Sequence, residues 1–210
     1  MRLGANVPLG RGAGMSGTLT RPELTLPDTE AGVLRAAYAA ADVILEYSSG
    51  GSTVMAAEMG KHVFSVESDA DWAQMMRDWF KAHPPSGKVT VLWSDIGPTK
   101  EWGRPVDEGK WKHFARYPLE VWDNPEFEHP DVVLVDGRFR MGCALATAFR
   151  ISRPVTLYYD DYANRMRHHQ IERFLGAPVS ITGRMARFDL TPMPVPADRL
   201  IQVIHMMTRP

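Results

Sequence analysis

The sequence predicts an α/β fold in which a doubly wound, mostly parallel sheet carries helices on both faces. Short apolar runs alternate along the chain with amphipathic or alanine-rich stretches of helical length. The apolar runs are nearly continuous, as in strands that are buried on both faces. Two such runs follow one another directly near the end of the chain, which predicts one antiparallel strand at or near an edge of the sheet.

The elements can be placed in order from Pro27. Asp28 is the expected cap of a first helix, a second helix ends at Gly60, and a third has Trp72 and Trp79 on one apolar stripe. Five parallel strands are expected in the runs DVILEY, HVFSVES, KVTVLWSD, DVVLVDG and PVTLYYDD. A helix near 141–150, a helix over YANRMRHHQIERFLG, the two final strands VSITG and RMARFDL, and a closing helix over ADRLIQVIHMM complete the pattern.

Residues 97–130 interrupt the alternation. They contain proline, glycine and mixed charges, together with Trp102, Trp111 and Trp122. Because plain connections in a compact domain are shorter, this stretch predicts a functional lid or insertion. The tryptophans are expected either to line the acceptor site or to pack without touching a ligand.

Composition limits the classes of protein that the chain can be. Its 210 residues suit one domain, expected over 21–210 after a flexible, glycine-rich tail at 1–20. A formal charge of −1 gives no general attraction to nucleic acid, and no apolar run reaches the roughly 18 residues of a membrane span. The single cysteine, Cys143, excludes an internal disulfide and favours a cytoplasmic location. A small-molecule partner is expected, and a homo-oligomer is left open.

The loop after the first strand is the first candidate site. Positions 45–52 read LEYSSGGS, so a strand ends near Glu46 and a loop of very small residues leads directly into a helix. Ligands of open α/β sheets bind outside the carboxyl ends of the strands, where the first amides of a helix carry partial positive charge. A carboxylate beside the loop would repel a pyrophosphate but would hold an ammonium group. The pattern therefore predicts a ligand such as the amino-acid end of S-adenosylmethionine.

Two more acids lie at predicted strand ends. Glu67 ends the second strand 21 residues after Glu46, where an α/β nucleotide site places an acid on the ribose hydroxyls. Asp95 follows the third strand and could accept a hydrogen bond from an adenine amino group, with Ile96 against the ring. The alternative is that these acids are solvated strand ends and that the loop is an ordinary tight turn.

At these residues the sequence resembles the class I S-adenosylmethionine-dependent methyltransferases, and it looks closest to bacterial methyltransferase-like proteins of unassigned substrate. The first motif of that family is an acid followed by x-G-x-G-x-G. Here Gly50 keeps the middle glycine, whereas Ser48 and Ser52 replace the outer two. The resemblance spans about residues 28–190 and implies a seven-stranded sheet with one antiparallel strand. The cofactor-binding residues that it implies, together with the strand-end acids, are Glu46, Ser48, Gly50, Gly51, Ser52, Glu67, Asp95 and Ile96.

Carboxylates at the ends of the fourth and fifth strands are the candidates for catalysis. Asp136 or Asp160 could serve as a base or hydrogen-bond acceptor for the methyl acceptor, and Arg138 could hold an anionic one. The alternative is that these aspartates and arginines only pair with one another. A shared Mg²⁺ on Asp136, Asp160 and Asp161 is a further alternative, similar to the site of metal-dependent O-methyltransferases. Those enzymes have a catalytic lysine three residues after the first acid, where this chain has Phe139.

Three classes of function stay open at this point. The first is methyl transfer from S-adenosylmethionine to a small molecule, and the second is binding of S-adenosylmethionine or S-adenosylhomocysteine without transfer. The third is a nucleotide- or NAD-linked enzyme, although the G-x-G-x-x-G spacing is absent. His168 and His169 are adjacent in an expected helix and are not expected to share a metal, and Cys143 is expected in the core.

Overall fold

The computed structural model describes residues 20–210. Its strands are β1 Val43–Tyr47, β2 His62–Glu67, β3 Lys88–Trp93, β4 Thr99–Lys100, β5 Arg104–Pro105, β6 Val132–Val135, β7 Val155–Tyr159, β8 Ser180–Thr182 and β9 Met185–Leu190. Seven of them form one sheet in the order β3-β2-β1-β6-β7-β9-β8, and β4 and β5 form a separate small hairpin. In this sheet the neighbouring pairs β3-β2, β2-β1, β1-β6 and β6-β7 are parallel, whereas β9 is antiparallel to both β7 and β8. The predicted fold class is confirmed.

Helices cover both faces of this sheet. They are α1 Asp28–Ala40, α2 Gly51–Glu58, α3 Ala70–Ala82, α4 Arg116–Leu119, α5 Arg140–Arg150, α6 Glu172–Leu175 and α7 Leu200–Met207. None of the helices in this part of the chain is long and apolar enough to cross a bilayer.

Side chains of the central strands alternate between two apolar layers. Leu45 and Tyr47 of β1 join the larger core with α5 and α7. Ile44 joins the other core, which contains Leu34 and Tyr38 of α1. Because successive strand residues point to opposite faces, Glu46 lies on the same side as Ile44, under α1 and α2.

Three local predictions were wrong in detail. Asp28 is the first residue of α1 and makes no cap hydrogen bond, because Pro27 takes the cap position. Trp72 is 37% exposed and is not part of the buried stripe of α3, which consists of Ala73, Met76 and Trp79. The single helix expected to end at Gly176 is instead a 3₁₀ turn over Met166–Ile171 followed by the short α6.

Side-chain contacts account for the tight winding before α6. Tyr162 stacks on His169 with ring centroids 4.4 Å apart, and the hydroxyl of Tyr159 lies 3.1 Å from Nδ1 of His168. The predicted tail falls outside the described residues except for Thr20. The extents of the domain and of the lid remain predictions.

Candidate functional site

The carboxyl ends of β1, β2, β6 and β7 lie side by side along one edge of the sheet. In register, Tyr47 of β1 is next to Val66 of β2 and to Val135 of β6, which in turn is next to Tyr159 of β7. The parallel arrangement therefore brings the loops after all four strands together. The predicted cofactor residues lie on the β1–β2 side of this edge, and the predicted catalytic residues lie on the β6–β7 side.

Glu46 does not face this edge. Its carboxylate is fully buried and accepts hydrogen bonds from the hydroxyl of Tyr38 at 2.7 Å and from that of Thr53 at 2.5 Å. Burial raises the pKa of Glu46 to about 7, although these two hydroxyls act against the rise. The expectation of a free carboxylate beside the loop was wrong, because β1 continues to Tyr47 and the pleat turns Glu46 under the helices.

Glu67 does lie at the end of β2, next to the loop after β1. Its two carboxylate oxygens accept hydrogen bonds from the backbone N–H groups of Ser49 (3.2 Å), Ser68 (2.7 Å) and Asp69 (3.0 Å). Burial raises the pKa of Glu67, and the three N–H groups act against that rise. The sequence correctly placed an acid against the small-residue loop.

The loop itself is held by its neighbours. Ser48 stands where the family has its first glycine, and its φ of 129° lies in the region that favours glycine. A Cβ on Gly51 would collide with the backbone of Glu23 and Leu24, whereas one on Gly50 would meet nothing within 4 Å. The loop is therefore open at Gly50 and covered at Gly51, and Ser52 is half-buried in the first turn of α2.

The segment 97–130, called the cover segment from here on, lies over Glu67. The carbonyl of Gly103 accepts a hydrogen bond of 2.9 Å from Oγ of Ser68, and a Cβ on Gly103 would stand 3.2 Å from Oε1 of Glu67. Deeper in the segment, the hydroxyl of Tyr117 donates to the carbonyl of Val66 at 3.3 Å. A ribose cannot bind Glu67 while Gly103 occupies this position.

The third predicted acid is also engaged by its own loop. Oδ1 of Asp95 accepts from the N–H of Gly97 at 2.9 Å, and its other oxygen lies 3.8 Å from Nδ1 of His113. Ile96 is 1% exposed and packs in the larger core. Contact of either residue with an adenine ring stays a prediction that requires the cover segment to move.

On the β6–β7 side, three aspartates and three arginines form one ion-pair network. Arg140 lies 3.1 Å from Asp136 and 3.2 Å from Asp161. Arg184 binds Asp160 with two parallel hydrogen bonds of 3.0 and 2.9 Å. The network consists of Asp136, Asp160, Asp161, Arg140, Arg165 and Arg184.

Asp136 and Asp161 of this network differ in the direction of their pKa shifts, because their surroundings differ. Burial raises the pKa of Asp136 to about 7, with the charges of Asp160 and Asp161 adding to the rise and that of Arg140 opposing it. Burial also pushes the pKa of Asp161 upward, but the charges of Arg140 and Arg165 hold it below its usual value. Asp136 can therefore exchange a proton near neutral pH, whereas Asp161 stays ionised.

The structure gives no support to the predicted Mg²⁺ site. Within residues 20–210, no three His, Cys, Asp or Glu side chains are grouped so that they could hold a metal ion. The space among Asp136, Asp160 and Asp161 is taken by guanidinium groups, which neutralise the carboxylates that a metal would need.

Several residues that shape the site were not found from the sequence. Tyr38 and Thr53 carry no charge, but their hydroxyl groups donate hydrogen bonds to Glu46. Trp72 covers the loop, because its Nε1 donates to the carbonyl of Ser49 at 2.7 Å. Thr53 lies in the second predicted helix, but Glu46 was expected beside the loop and not buried next to it. Arg184 gave no signal, because its partner Asp160 is 24 positions away in sequence.

Comparison with solved structures decides the family. A methyltransferase-like protein from Silicibacter pomeroyi DSS-3 is 60% identical, with a TM-score of 0.87, over 90% of this chain and 99% of that chain. The chain belongs to this methyltransferase-like family. No protein-family model matches it, and no curated protein matches it.

More distant structures share only the fold. An O-methyltransferase of tomaymycin synthesis from Streptomyces achromogenes, solved in complex with S-adenosylmethionine, is 15% identical over 82% of this chain and 83% of that chain, with a TM-score of 0.54. An O-methyltransferase from Bacillus cereus, solved in complex with S-adenosylhomocysteine, is 16% identical over 79% and 82%, with a TM-score of 0.53. The fold of this methyltransferase-like protein thus recurs in proteins with little sequence identity to it.

Proposed function

We propose that this protein is an S-adenosylmethionine-dependent methyltransferase that acts on a small molecule. The observation that carries the proposal is the position of Glu67, at the end of β2 and within hydrogen-bonding distance of the loop after β1. This is the place of the ribose-binding acid in α/β nucleotide sites. Membership of the methyltransferase-like family supports it.

The cofactor side would be formed by the residues that line the ends of β1 to β3. When bound, S-adenosylmethionine would supply an electrophilic methyl group. The conformation described here does not admit it, because Gly103 covers Glu67. Binding therefore requires movement of the cover segment. The residues proposed to contact the cofactor after that movement are Ser48, Gly50, Gly51, Ser52, Glu67, Asp95 and Ile96.

The acceptor side would lie at the ends of β6 and β7. Asp136 is the better candidate for accepting a proton from the acceptor, because its pKa is raised to about 7 by burial. Asp160 is 1% exposed and accepts hydrogen bonds from Nε and Nη2 of Arg184, so we assign it a positioning role. A cytoplasmic location is part of the proposal and relies on the single cysteine, Cys143, which is buried.

Two observations favour binding without transfer as a second candidate. Phe139 stands where metal-dependent O-methyltransferases have their lysine, and it is 1% exposed in the core. The backbone of Glu23 and Leu24 also lies against Gly51. A protein that holds the cofactor or its demethylated product would need no base at this position.

Calorimetric titration and a label-transfer assay separate these candidates. Glu67→Gln keeps the size of the side chain but removes its charge, and we expect it to weaken S-adenosylmethionine binding by about 1–3 kcal/mol. Glu126→Gln is the matched control, because Glu126 is exposed. Binding with transfer of label to a pool of small molecules supports the enzyme, and binding without transfer supports the second candidate. Equal affinities of the Glu67→Gln and Glu126→Gln proteins would contradict the ribose assignment.

A further inference from the structure

A cationic cavity lies at the carboxyl ends of β6 and β7. Its volume is about 240 Å³, and it extends from Gly137, directly after Asp136, to the last residues of the described chain. His168 also lines it. Its arginines come from the cover segment, the start of α5, the turn before α6 and the end of the chain, and they are Arg104, Arg138, Arg140, Arg165, Arg167 and Arg209.

Two of these arginines already have carboxylate partners. Arg140 pairs with Asp136 and Asp161, and it also donates to the carbonyls of Gly137 and Asp160. Arg165 lies 2.7 Å from Asp161. Their positive charges are therefore balanced within the ion-pair network described above.

The other four arginines of the cavity have no such partner. Within residues 20–210, no ion pair or hydrogen bond is made by the guanidinium groups of Arg104, Arg138, Arg167 and Arg209. Nε of Arg138 is moreover buried and lacks any hydrogen-bond partner in that part of the chain. A buried donor without an acceptor is costly, so this group is suited to a ligand that accepts hydrogen bonds.

The charge of Arg138 persists in this environment. Burial lowers the pKa of Arg138 to about 10, and the nearby charges of Arg140 and Arg104 add to the decrease. The guanidinium therefore remains protonated at neutral pH, although its charge is destabilised. An anion in the cavity would relieve both the repulsion and the missing hydrogen bond.

We propose that this cavity binds the dianionic end, a phosphate monoester or a dicarboxylate, of a small molecule. Arg138 and Arg167 bind the oxygens, and in the conformation described here Arg104 adds a third positive charge from the cover segment. His168 stays neutral, because burial and the nearby arginines lower its pKa to about 3. That this ligand is the methyl acceptor rests on the proposed function, since the cavity begins one residue after Asp136.

Phosphate and malonate, titrated at constant ionic strength with chloride as the reference anion, test this site. We expect either dianion to bind and to raise the melting temperature, and we expect Arg138→Gln to weaken its binding at least ten-fold. Arg167→Gln provides a second variant at an exposed side chain. Arg35→Gln is the control, because it removes the same charge from the exposed face of α1.

If the site is real, Arg138→Gln should have two effects of opposite sign on the melting temperature. Without an anion, Arg138→Gln should melt higher than the wild type because it removes an unpaired, partly buried cation, yet it should lose the stabilisation by phosphate or malonate. Tighter binding of phosphate than of malonate assigns a phosphate monoester, and the reverse assigns a dicarboxylate. No binding beyond that of chloride, or equal binding by the Arg138→Gln and Arg35→Gln proteins, would overturn the inference.

The same proteins separate this inference from the proposed function. If the dianions fail to bind while S-adenosylmethionine binds, only the anion site is lost. If a dianion binds in the cavity but S-adenosylmethionine does not bind, the anion site stands and its assignment to a methyl acceptor falls.

Discussion

The buried carboxyl group of Glu46 makes a specific prediction about stability and pH. In the folded state its pKa is about 7, against an ordinary value of 4.5. The folded protein therefore binds this proton more tightly than the unfolded chain does. Its contribution to stability is fully present below the unfolded pKa and is lost as the pH rises through the folded pKa.

The magnitude follows from the size of this pKa difference. Each unit corresponds to about 1.4 kcal/mol, so Glu46 should remove roughly 3 kcal/mol from the free energy of unfolding as the pH rises from below 5 to 8. Glu46→Gln cannot ionise but can still pair with the hydroxyls of Tyr38 and Thr53. Relative to the wild type, this variant should therefore gain roughly 3 kcal/mol over that pH interval.

Urea unfolding followed by tryptophan fluorescence at several pH values between about 4 and 8 measures this difference. Asp136 and Glu67 also have raised pKa values, so the wild-type curve alone does not isolate Glu46. The difference in the free energy of unfolding between the wild type and Glu46→Gln isolates the contribution of Glu46. The free energy of unfolding of Glu126→Gln, at an exposed site, should change with pH as that of the wild type does. If the free energy of Glu46→Gln also changes with pH in the same way, Glu46 is not the buried proton-binding group described here.

Three further predictions concern the site. Ser68→Ala removes the hydrogen bond to Gly103, worth about 0.5–1.5 kcal/mol, and should tighten S-adenosylmethionine binding up to about ten-fold in a calorimetric titration; unchanged or weaker affinity would contradict the proposed opening. Gly51→Ala should lower the free energy of unfolding by several kcal/mol in urea, because its Cβ meets backbone; a loss below about 1 kcal/mol would show that residues 23–24 move aside easily. Arg140→Met leaves Asp136 without its cation and should cost about 3–5 kcal/mol at pH 8, with a smaller loss at pH 5. An equal loss at both pH values would contradict the ion pair.

Matched controls separate these effects from general damage. Ser86→Ala removes an exposed serine hydroxyl that also donates to a backbone carbonyl, and it should leave cofactor affinity unchanged. Gly32→Ala places a Cβ in open space in α1 and should be neutral or slightly stabilising. Arg35→Met, in the same helix, should change stability by less than about 0.5 kcal/mol.

The fold could be predicted because each strand and helix is locally encoded. The apolar runs at β1, β2, β6 and β7 are nearly continuous, and the order of strands and helices restricts the connections to parallel crossovers. The turn before α6 could not be predicted in the same way, because the contacts of Tyr162 with His169 and of Tyr159 with His168 override the helical pattern.

The candidate site was only partly predictable. Glu67 lies against the loop after β1, because a strand end fixes the position of its side chain, and its contact with a ribose stays a prediction. Glu46 was expected beside the loop, but alternation along β1 puts its side chain on the same face as Ile44, where it meets Tyr38 of α1. The pairing of Arg184 with Asp160 depends on the antiparallel return of β9, which sequence spacing does not show.

A structure determined with S-adenosylmethionine bound tests the central claim most directly. The account predicts that both ribose hydroxyls lie within hydrogen-bonding distance of Glu67, and that Gly103 has left the position it occupies over that carboxylate. The cofactor bound elsewhere on the protein, or a saturated complex in which Gly103 still covers Glu67, would contradict it.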